Sequence, residues 1–329
     1  MKIIEGLHGR SIKPPLYLAL GNFDGVHRGH QAVIKKAVRQ ARESGGSSAA
    51  LLFDPHPSTV LHPQKRFCLL TGIAERASLL EMLALDYLFV APFTAGMAST
   101  TPLNFVREIL LQKIRIDGLS IGVDYSFGRG GAGRKEILQE LGRELGFTVA
   151  VSPMEEDEDM VISSSSIKGL LAGGEVNRAA ALLNYYFFRR GTVIPGRGRG
   201  KKMLYPTANI DPDHRLVRPG SGVYLTAVGG VDEQIRFGVT NVGNKPTFAD
   251  NTPSIETYIL DFAGEIYGRE ITLYFLERLR ETRDFPSVAA LRAQIEKDIA
   301  RGREIACSRF DAISALVEPV RFFQPGGGD

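Results

Sequence analysis

The chain has 329 residues, with 40 Lys or Arg against 37 Asp or Glu, a formal net charge of +3. Hydrophobic residues at 43% supply apolar side chains for about two cores, which excludes disorder as the main state. The two cysteines, Cys68 and Cys307, exclude a disulfide framework or thiolate zinc site, and the near balance of charge argues against a nucleic-acid binder. No apolar run approaches the roughly 18 residues of a membrane helix, and Met1 to His8 lacks a signal-peptide core. A soluble, cytoplasmic protein without a membrane partner is expected.

The first half alternates short apolar runs with helical stripes. Leu16-Tyr17-Leu18-Ala19-Leu20 reads as a buried strand, followed by a helix whose inner face carries Val33, Ile34, Ala37, Val38 and Ala41. Ala49 to Phe53 and Asp86 to Val90 are further strands, with a helical pattern from Glu75 to Leu85 between them. Phe105 to Leu111 reads as helix, and Gly118 to Val123 and Phe147 to Val151 as strands. Apolar strands alternating with helices predict a parallel, doubly wound α/β sheet with its ligand at the strands' carboxyl ends. The acidic run Glu155 to Asp159 reads as a solvated loop.

Near residue 185 the pattern changes. Gly222 to Val228 with Gln234 to Val239, and Ile255 to Phe262 with Glu270 to Phe275, read as two antiparallel hairpins of a small barrel or sandwich. A closing helix after Pro286 carries the stripe Val288, Leu291, Ile295 and Ile299, and the glycine-rich tail after Gln324 is expected to be disordered. The boundary is placed at Leu183 to Gly191, giving domains 1–184 and 185–329. Arg189, Arg190, Arg197, Arg199, Lys201 and Lys202 fall within 14 residues, interleaved with glycine, as a phosphate-covering flap or a solvated basic loop would have them.

Directly after the first buried strand comes Gly21-Asn22-Phe23-Asp24-Gly25-Val26-His27-Arg28-Gly29-His30. Two histidines three apart at a helix start lie beside unpaired backbone N–H groups, where phosphate binds. Two such donors suit in-line displacement at an α-phosphate.

His27-Arg28-Gly29-His30 is similar to the signature of the nucleotidyltransferases. The longer Gly-Asn-Phe-Asp-Gly-Val-His segment resembles the bacterial bifunctional riboflavin kinase/FAD synthetases, and later motifs follow in order along nearly the whole chain. The resemblance implies a Rossmann-like FMN adenylyltransferase domain followed by an antiparallel riboflavin kinase β-barrel. It makes His27 and His30 catalytic, and assigns Gly21, Asn22, Phe23, Asp24, Gly29, Asp124, Ser164, Ser165 and Lys168 to the nucleotide. Phe53-Asp54-Pro55-His56-Pro57 and Asn241 to Phe248 look like further family segments, so His56, Pro57, Asn241 and Arg280 are assigned to flavin. Tyr205-Pro206-Thr207-Ala208-Asn209 resembles the kinase motif, with Thr207 and Asn209 as Mg²⁺ ligands, and Glu256 matches the catalytic glutamate.

The implied activity is phosphorylation of riboflavin to FMN, then adenylylation of FMN to FAD with release of pyrophosphate. ATP is the co-substrate and Mg²⁺ the cofactor. Four positions depart from the family: Ser165 for threonine, Lys168 for arginine, and Leu204 and Tyr205 for Gly-Phe. The alternatives are an adenylyltransferase with a weakened or lost kinase, and a non-catalytic flavin- or RNA-binding protein. A monomer or weak homo-oligomer is expected.

Overall fold

The computed structural model describes the chain apart from residues 10, 66, 159, 196–206, 211–212, 245–252, 310–312, 314–316 and 318–329. Leu204-Tyr205, the flap Gly196 to Lys202, Lys245 to Phe248 and the tail after Gln324 lie outside the described residues. The chain divides into two compact units, Met1–Ser164 and Ser165–Asp329.

The first unit begins with β1 (Lys2–Glu5), β2 (Leu16–Leu20), α1 (Arg28–Glu43) and β3 (Ser47–Phe53). The short helix α2 (Pro57–Leu61), α3 (Ile73–Glu81) and β4 (Tyr87–Ala91) follow. Two short helices, α4 (Ala95–Ser99) and α5 (Pro102–Asn104), lead into a π-helical stretch Phe105–Ile114. Then come β5 (Gly118–Gly122), α6 (Lys135–Leu145), β6 (Thr148–Ser152) and the hairpin β7 (Glu156–Asp157) with β8 (Met160–Val161).

Among the described residues the unit holds a six-stranded, all-parallel sheet in the order β1-β4-β3-β2-β5-β6. The inner strands are buried along nearly their whole length, as the unbroken apolar runs require. α1 buries the predicted stripe, Val33 to Ala41. The chain winds one way from β2 through β3 to β4 and then crosses back to β5 and β6. The carboxyl end of β2 is therefore a topological switch point. The sequence reading lacks β1; this edge strand exposes Ile3 and pairs with β4 alone, so it has no apolar alternation to read. The acidic run keeps Glu156 and Glu158 exposed, as a solvated segment would, but Glu156–Asp157 form a hairpin strand and Glu155 and Asp157 are anchored. Arg28 at the start of α1 pairs with Asp157 at 2.6 Å and Glu155 at 3.9 Å.

The second unit takes in α7 (Ser164–Ala172, whose first residue closes the first unit), α8 (Val176–Leu183), β9 (Phe188–Ile194), β10 (Ala208–Ile210) and β11 (Gly222–Gly229). β12 (Arg236–Asn244), β13 (Pro253–Ile259), β14 (Glu270–Arg280) and α9 (Val288–Ser308) complete it. The Gly220 N–H donates to the Leu171 carbonyl at 2.8 Å, and Arg278 to that of Gly173 at 3.2 Å. These bonds tie α7 and its following turn to the barrel strands.

The six strands close an antiparallel barrel in the order β10-β13-β12-β11-β14-β9. The β11–β12 hairpin is as predicted, but β13 and β14 do not pair: β13 lies between β10 and β12, and β14 between β11 and β9. Closure of the barrel sets these partners, and sequence adjacency does not reveal it. Inside, Thr226, Thr240 and Thr257 form a hydroxyl chain with O···O distances of 2.7 and 2.8 Å, ending on the Gly238 carbonyl. A Cβ on Gly238 would stand 2.7 Å from Thr257 Oγ1, so glycine makes room for the chain.

α9 packs across β12 and β14 on a face that keeps only Ile299 of the predicted stripe, packed against the cluster of Val223, Val239 and Leu260. Val288 is 67% exposed, and Leu291, Ile295 and Ile299 are half-buried. The buried face is Asp298, Gly302, Ile305 and Ala306. Gly302 allows the close approach: its Cβ would meet Leu225 Cδ1 at 3.3 Å. Asp298 is on this face because Arg280 binds it through Nε, at 2.9 and 3.1 Å, and Nη2, at 2.8 Å. Replacing Arg280 by Ala leaves a buried carboxylate unpaired. A loss of about 3 kcal/mol is expected in denaturant unfolding of the barrel, with most of it recovered in Arg280→Met/Asp298→Leu.

Candidate active sites

The first candidate site is built on strained backbone. Between β2 and α1 the chain turns through Phe23 at φ +49°, Gly25 at +83° and Val26 at +39°. Glycine adopts such angles freely, whereas a bulky or β-branched residue there costs on the order of 1–3 kcal/mol. A Cβ on Gly25 would also stand 2.6 Å from Leu70 Cδ1.

A ring of hydrogen bonds holds the turn. Asp24 Oδ1 accepts from the backbone N–H groups of Leu70 (2.7 Å) and Thr71 (3.2 Å), and the Gly25 N–H donates to Thr71 Oγ1 at 3.0 Å. Gln31 donates to the Val26 carbonyl at 2.9 Å and Arg76 to that of Asn22 at 3.1 Å. Ser164 Oγ, at the end of the first unit, donates to the Asp24 carbonyl at 2.9 Å. Ser165 and Lys168 follow in α7.

The turn delivers the two imidazoles. His27 caps α1, its Nδ1 accepting from the His30 N–H at 3.4 Å. The rings stack with centroids 3.6 Å apart, and Phe23 meets His30 edge-on at 5.3 Å. A Cβ on Gly29 would come 3.4 Å from the His27 ring, so glycine spares the ring that contact. Burial lowers His27 to about 4, with Asp24 and then Asp124 opposing. Burial, then His27, then Arg76 holds His30 well below the usual imidazole range. Both rings are neutral near pH 7, and each still carries one N–H donor. Because His27 Nδ1 accepts, its proton is assigned to Nε2.

The other predicted residues of this unit take varied places. Gly21 and Asn22 open the loop; a Cβ on Gly21 would meet the Phe23 ring at 2.8 Å. Asp124 is exposed just after β5, with its charge felt at His27. His56 is buried, caps α2 through Ser58 N–H at 3.2 Å and stacks on Phe67 with centroids 5.0 Å apart; Pro57 opens α2.

In the barrel, register brings the predicted residues together. Glu256 on β13 lies opposite Asn209 on β10 and opposite Asn241 on β12. Directly opposed residues share a face, so the three form one polar row across three strands. Asn209 is buried, and Thr207, half-buried, immediately precedes β10. Arg280 stands apart from this row at the end of β14, its guanidinium held by Asp298 and lying over Phe285 at 5.6 Å.

Residues 10–166 match the family model of FAD synthetase and residues 183–306 that of riboflavin kinase. The bifunctional riboflavin kinase/FMN adenylyltransferase of Escherichia coli (strain K12) is 34% identical over 306 residues, 92% of this chain and 97% of that protein. The one from Listeria monocytogenes is 38% identical over 285 residues, 85% and 89% of the two chains. This chain belongs to the bifunctional riboflavin kinase/FMN adenylyltransferase family. A crystal structure described as a macrolide-efflux protein from Streptococcus pneumoniae superposes with a TM-score of 0.83 at 30% identity, over 92% of this chain and 99% of that one. Among the described residues of the present family member, no helix is long and apolar enough to cross a membrane.

The sequence reading passed over Arg76. Its signal was a cation on an apolar helical stripe, with Leu79 and Leu80 three and four residues on. The perturbed histidines also make stability depend on pH. At pH 7 the His27 ring is neutral whether the chain is folded or unfolded. Below 6.5 the unfolded chain takes up the proton first, so stability falls until about pH 4, by about 3 kcal/mol from His27 alone. Denaturant unfolding from pH 7 to 4 should show a shallower loss in His27→Gln than in the parent protein.

Proposed function

We propose that this protein makes both flavin nucleotides. The barrel unit transfers the γ-phosphoryl group of ATP to the ribityl 5′-hydroxyl of riboflavin. The parallel-sheet unit joins the resulting FMN to the AMP moiety of a second ATP. The observation that carries this reading is the presence of two separate polar constellations in one chain. One is the stacked His27–His30 pair at the β2 switch point, and the other is the Asn209–Glu256–Asn241 row of the barrel.

In the kinase reaction Glu256 accepts the hydroxyl proton as the oxygen attacks the γ-phosphorus and the bond to the ADP oxygen breaks. Thr207 and Asn209 supply oxygen donors beside a carboxylate, a set that suits Mg²⁺. The ion would neutralise phosphate charge there. In the adenylyl transfer an FMN phosphate oxygen attacks the α-phosphorus and pyrophosphate leaves. The neutral imidazoles of His27 and His30 donate hydrogen bonds to the α-phosphoryl oxygens as charge builds, and no proton transfer is needed. Gly21, Asn22, Phe23, Asp24, Gly29 and Asp124 line the nucleotide, while Ser164, Ser165 and Lys168 hold its phosphates; the Ser164 contact with the loop supports this part. His56 and Pro57 in the first unit, and Asn241 and Arg280 in the second, face the flavins.

On this reading the division of labour runs 1–184 and 185–329. The protein works in the cytoplasm as a monomer or weak homo-oligomer, with riboflavin, FMN, FAD and ATP as partners and without nucleic acid or membrane. A second reading, favoured by Leu204-Tyr205 where relatives have Gly-Phe, is a kinase slower than the adenylyltransferase.

Incubation with riboflavin, ATP and Mg²⁺, followed by flavin chromatography, should show FMN and then FAD. Glu256→Gln should slow FMN formation by about 10²-fold or more and leave FAD formation from supplied FMN intact. His30→Asn should do the reverse and accumulate FMN. If neither flavin nucleotide forms in the parent protein, the proposal fails; equal FAD yields from riboflavin and from FMN would exclude the slow-kinase reading.

A further inference from the structure

Arg76 sits in α3 within a fully buried run, Glu75 to Leu80, and is only 2% exposed. Burying a guanidinium is expensive, and an aliphatic side chain would pack there without that cost. Among the described residues no carboxylate comes within ion-pair distance of it. Its hydrogen bonds there go to two backbone carbonyls, Asn22 at 3.1 Å through Nη1 and Gly72 at 3.5 Å through Nε. Part of the donor fork is left unspent. Asp24 from the loop, Asp54 after β3 and Glu75 on α3 supply the negative field that keeps the cation charged. Glu75 meanwhile accepts the Gly72 N–H at 2.8 Å.

Asn22 is where the chain leaves β2 and enters the strained turn. The Arg76 bond therefore acts at the entrance to the loop, while Asp24, Leu70 and Thr71 act at its middle. The same cation acts electrostatically on His30.

We propose that Arg76 is a positioning residue for adenylyl transfer, holding the Gly21 to His27 loop through the Asn22 carbonyl and setting the electrostatics of the His27–His30 pair. This rests on the assignment of adenylyl transfer to that pair. The positive charge disfavours a proton on His30, in the same sense as burial and the His27 ring. Asp24 and Asp124 act on His27 in the opposite sense. Arg76 thus lets the histidines remain uncharged donors with a fixed geometry, while its own charge raises the potential where anionic substrates react.

The test uses the full-length protein with FMN, ATP and Mg²⁺, following FAD formation from pH 8 down to about 3.5, with riboflavin phosphorylation and thermal unfolding as controls. Arg76→Gln should lower kcat for FAD formation by about 10- to 100-fold. Its acid limb should move to higher pH, since the cation that disfavours a proton on His30 is gone. Arg76→Lys keeps the charge but loses the planar fork, so kcat should fall while the acid limb stays at its parental position. Parental kcat and acid limb in a folded Arg76→Gln would overturn the inference, as would an equal upward shift in Arg76→Lys. If Arg76→Gln does not fold, Arg76→Lys decides. A lowered kcat with KM and acid limb unchanged supports the role, and an unaltered kcat refutes it. His30→Asn, run alongside, separates the two claims. Its retention of FAD formation would overturn the histidine assignment, whereas parental behaviour of Arg76→Gln beside an inactive His30→Asn overturns only the role of Arg76.

Discussion

The first catalytic unit depends on a loop that would not hold its shape alone. Phe23 and Val26 have positive φ, and that conformation persists because Asp24, Leu70, Thr71, Gln31, Arg76 and Ser164 over-determine it. The strain is local, and its compensation comes from segments up to 140 residues away in the chain. What the strain produces is a close imidazole pair at the start of α1, at the one place in the sheet where the strand order reverses. Two stacked rings 3.6 Å apart cannot both carry charge comfortably, and burial ensures that neither does.

The second unit reaches its chemistry by a different route. Here the candidate residues are placed by antiparallel register, where each residue has a defined opposite number on each neighbouring strand. Asn209, Glu256 and Asn241 meet because three strands align at those positions. Closure of the barrel then holds that register, and the Arg280–Asp298 clamp holds α9 on its outer side. Phosphoryl transfer asks the protein mainly for position and field, so a strained loop and a rigid ladder can each serve it.

Much of this was readable from the chain. The runs Leu16 to Leu20 and Ala49 to Phe53 are buried on both faces and carry their own signal, as does the α1 stripe. The His27–His30 spacing foretold the stacked pair because three residues along a helix start bring two rings together. The errors have physical causes. β1 is an edge strand of four residues, too short to show a period. β13 and β14 are adjacent in the chain but are separated in the barrel by other strands. On α9 an aspartate with a distant arginine partner took the inner face beside Ile299, and Val288, Leu291 and Ile295 were left at its rim. Arg76 was invisible because a lone cation in a helix is usually solvated, and only the fold shows it enclosed.

The two fold classes and the elements with strong periodicity are legible in the chain itself, as is the candidacy of His27, His30, Asn209 and Glu256, because these depend on local spacing and residue chemistry. Only the tertiary structure decided which strands pair, which face of α9 is buried, that the histidines are neutral, and that Arg76 and the Leu70–Thr71 segment support the loop. Each of these depends on contacts between residues far apart in the chain, on desolvation and on closure of a sheet. None has a signature within a window of neighbouring residues.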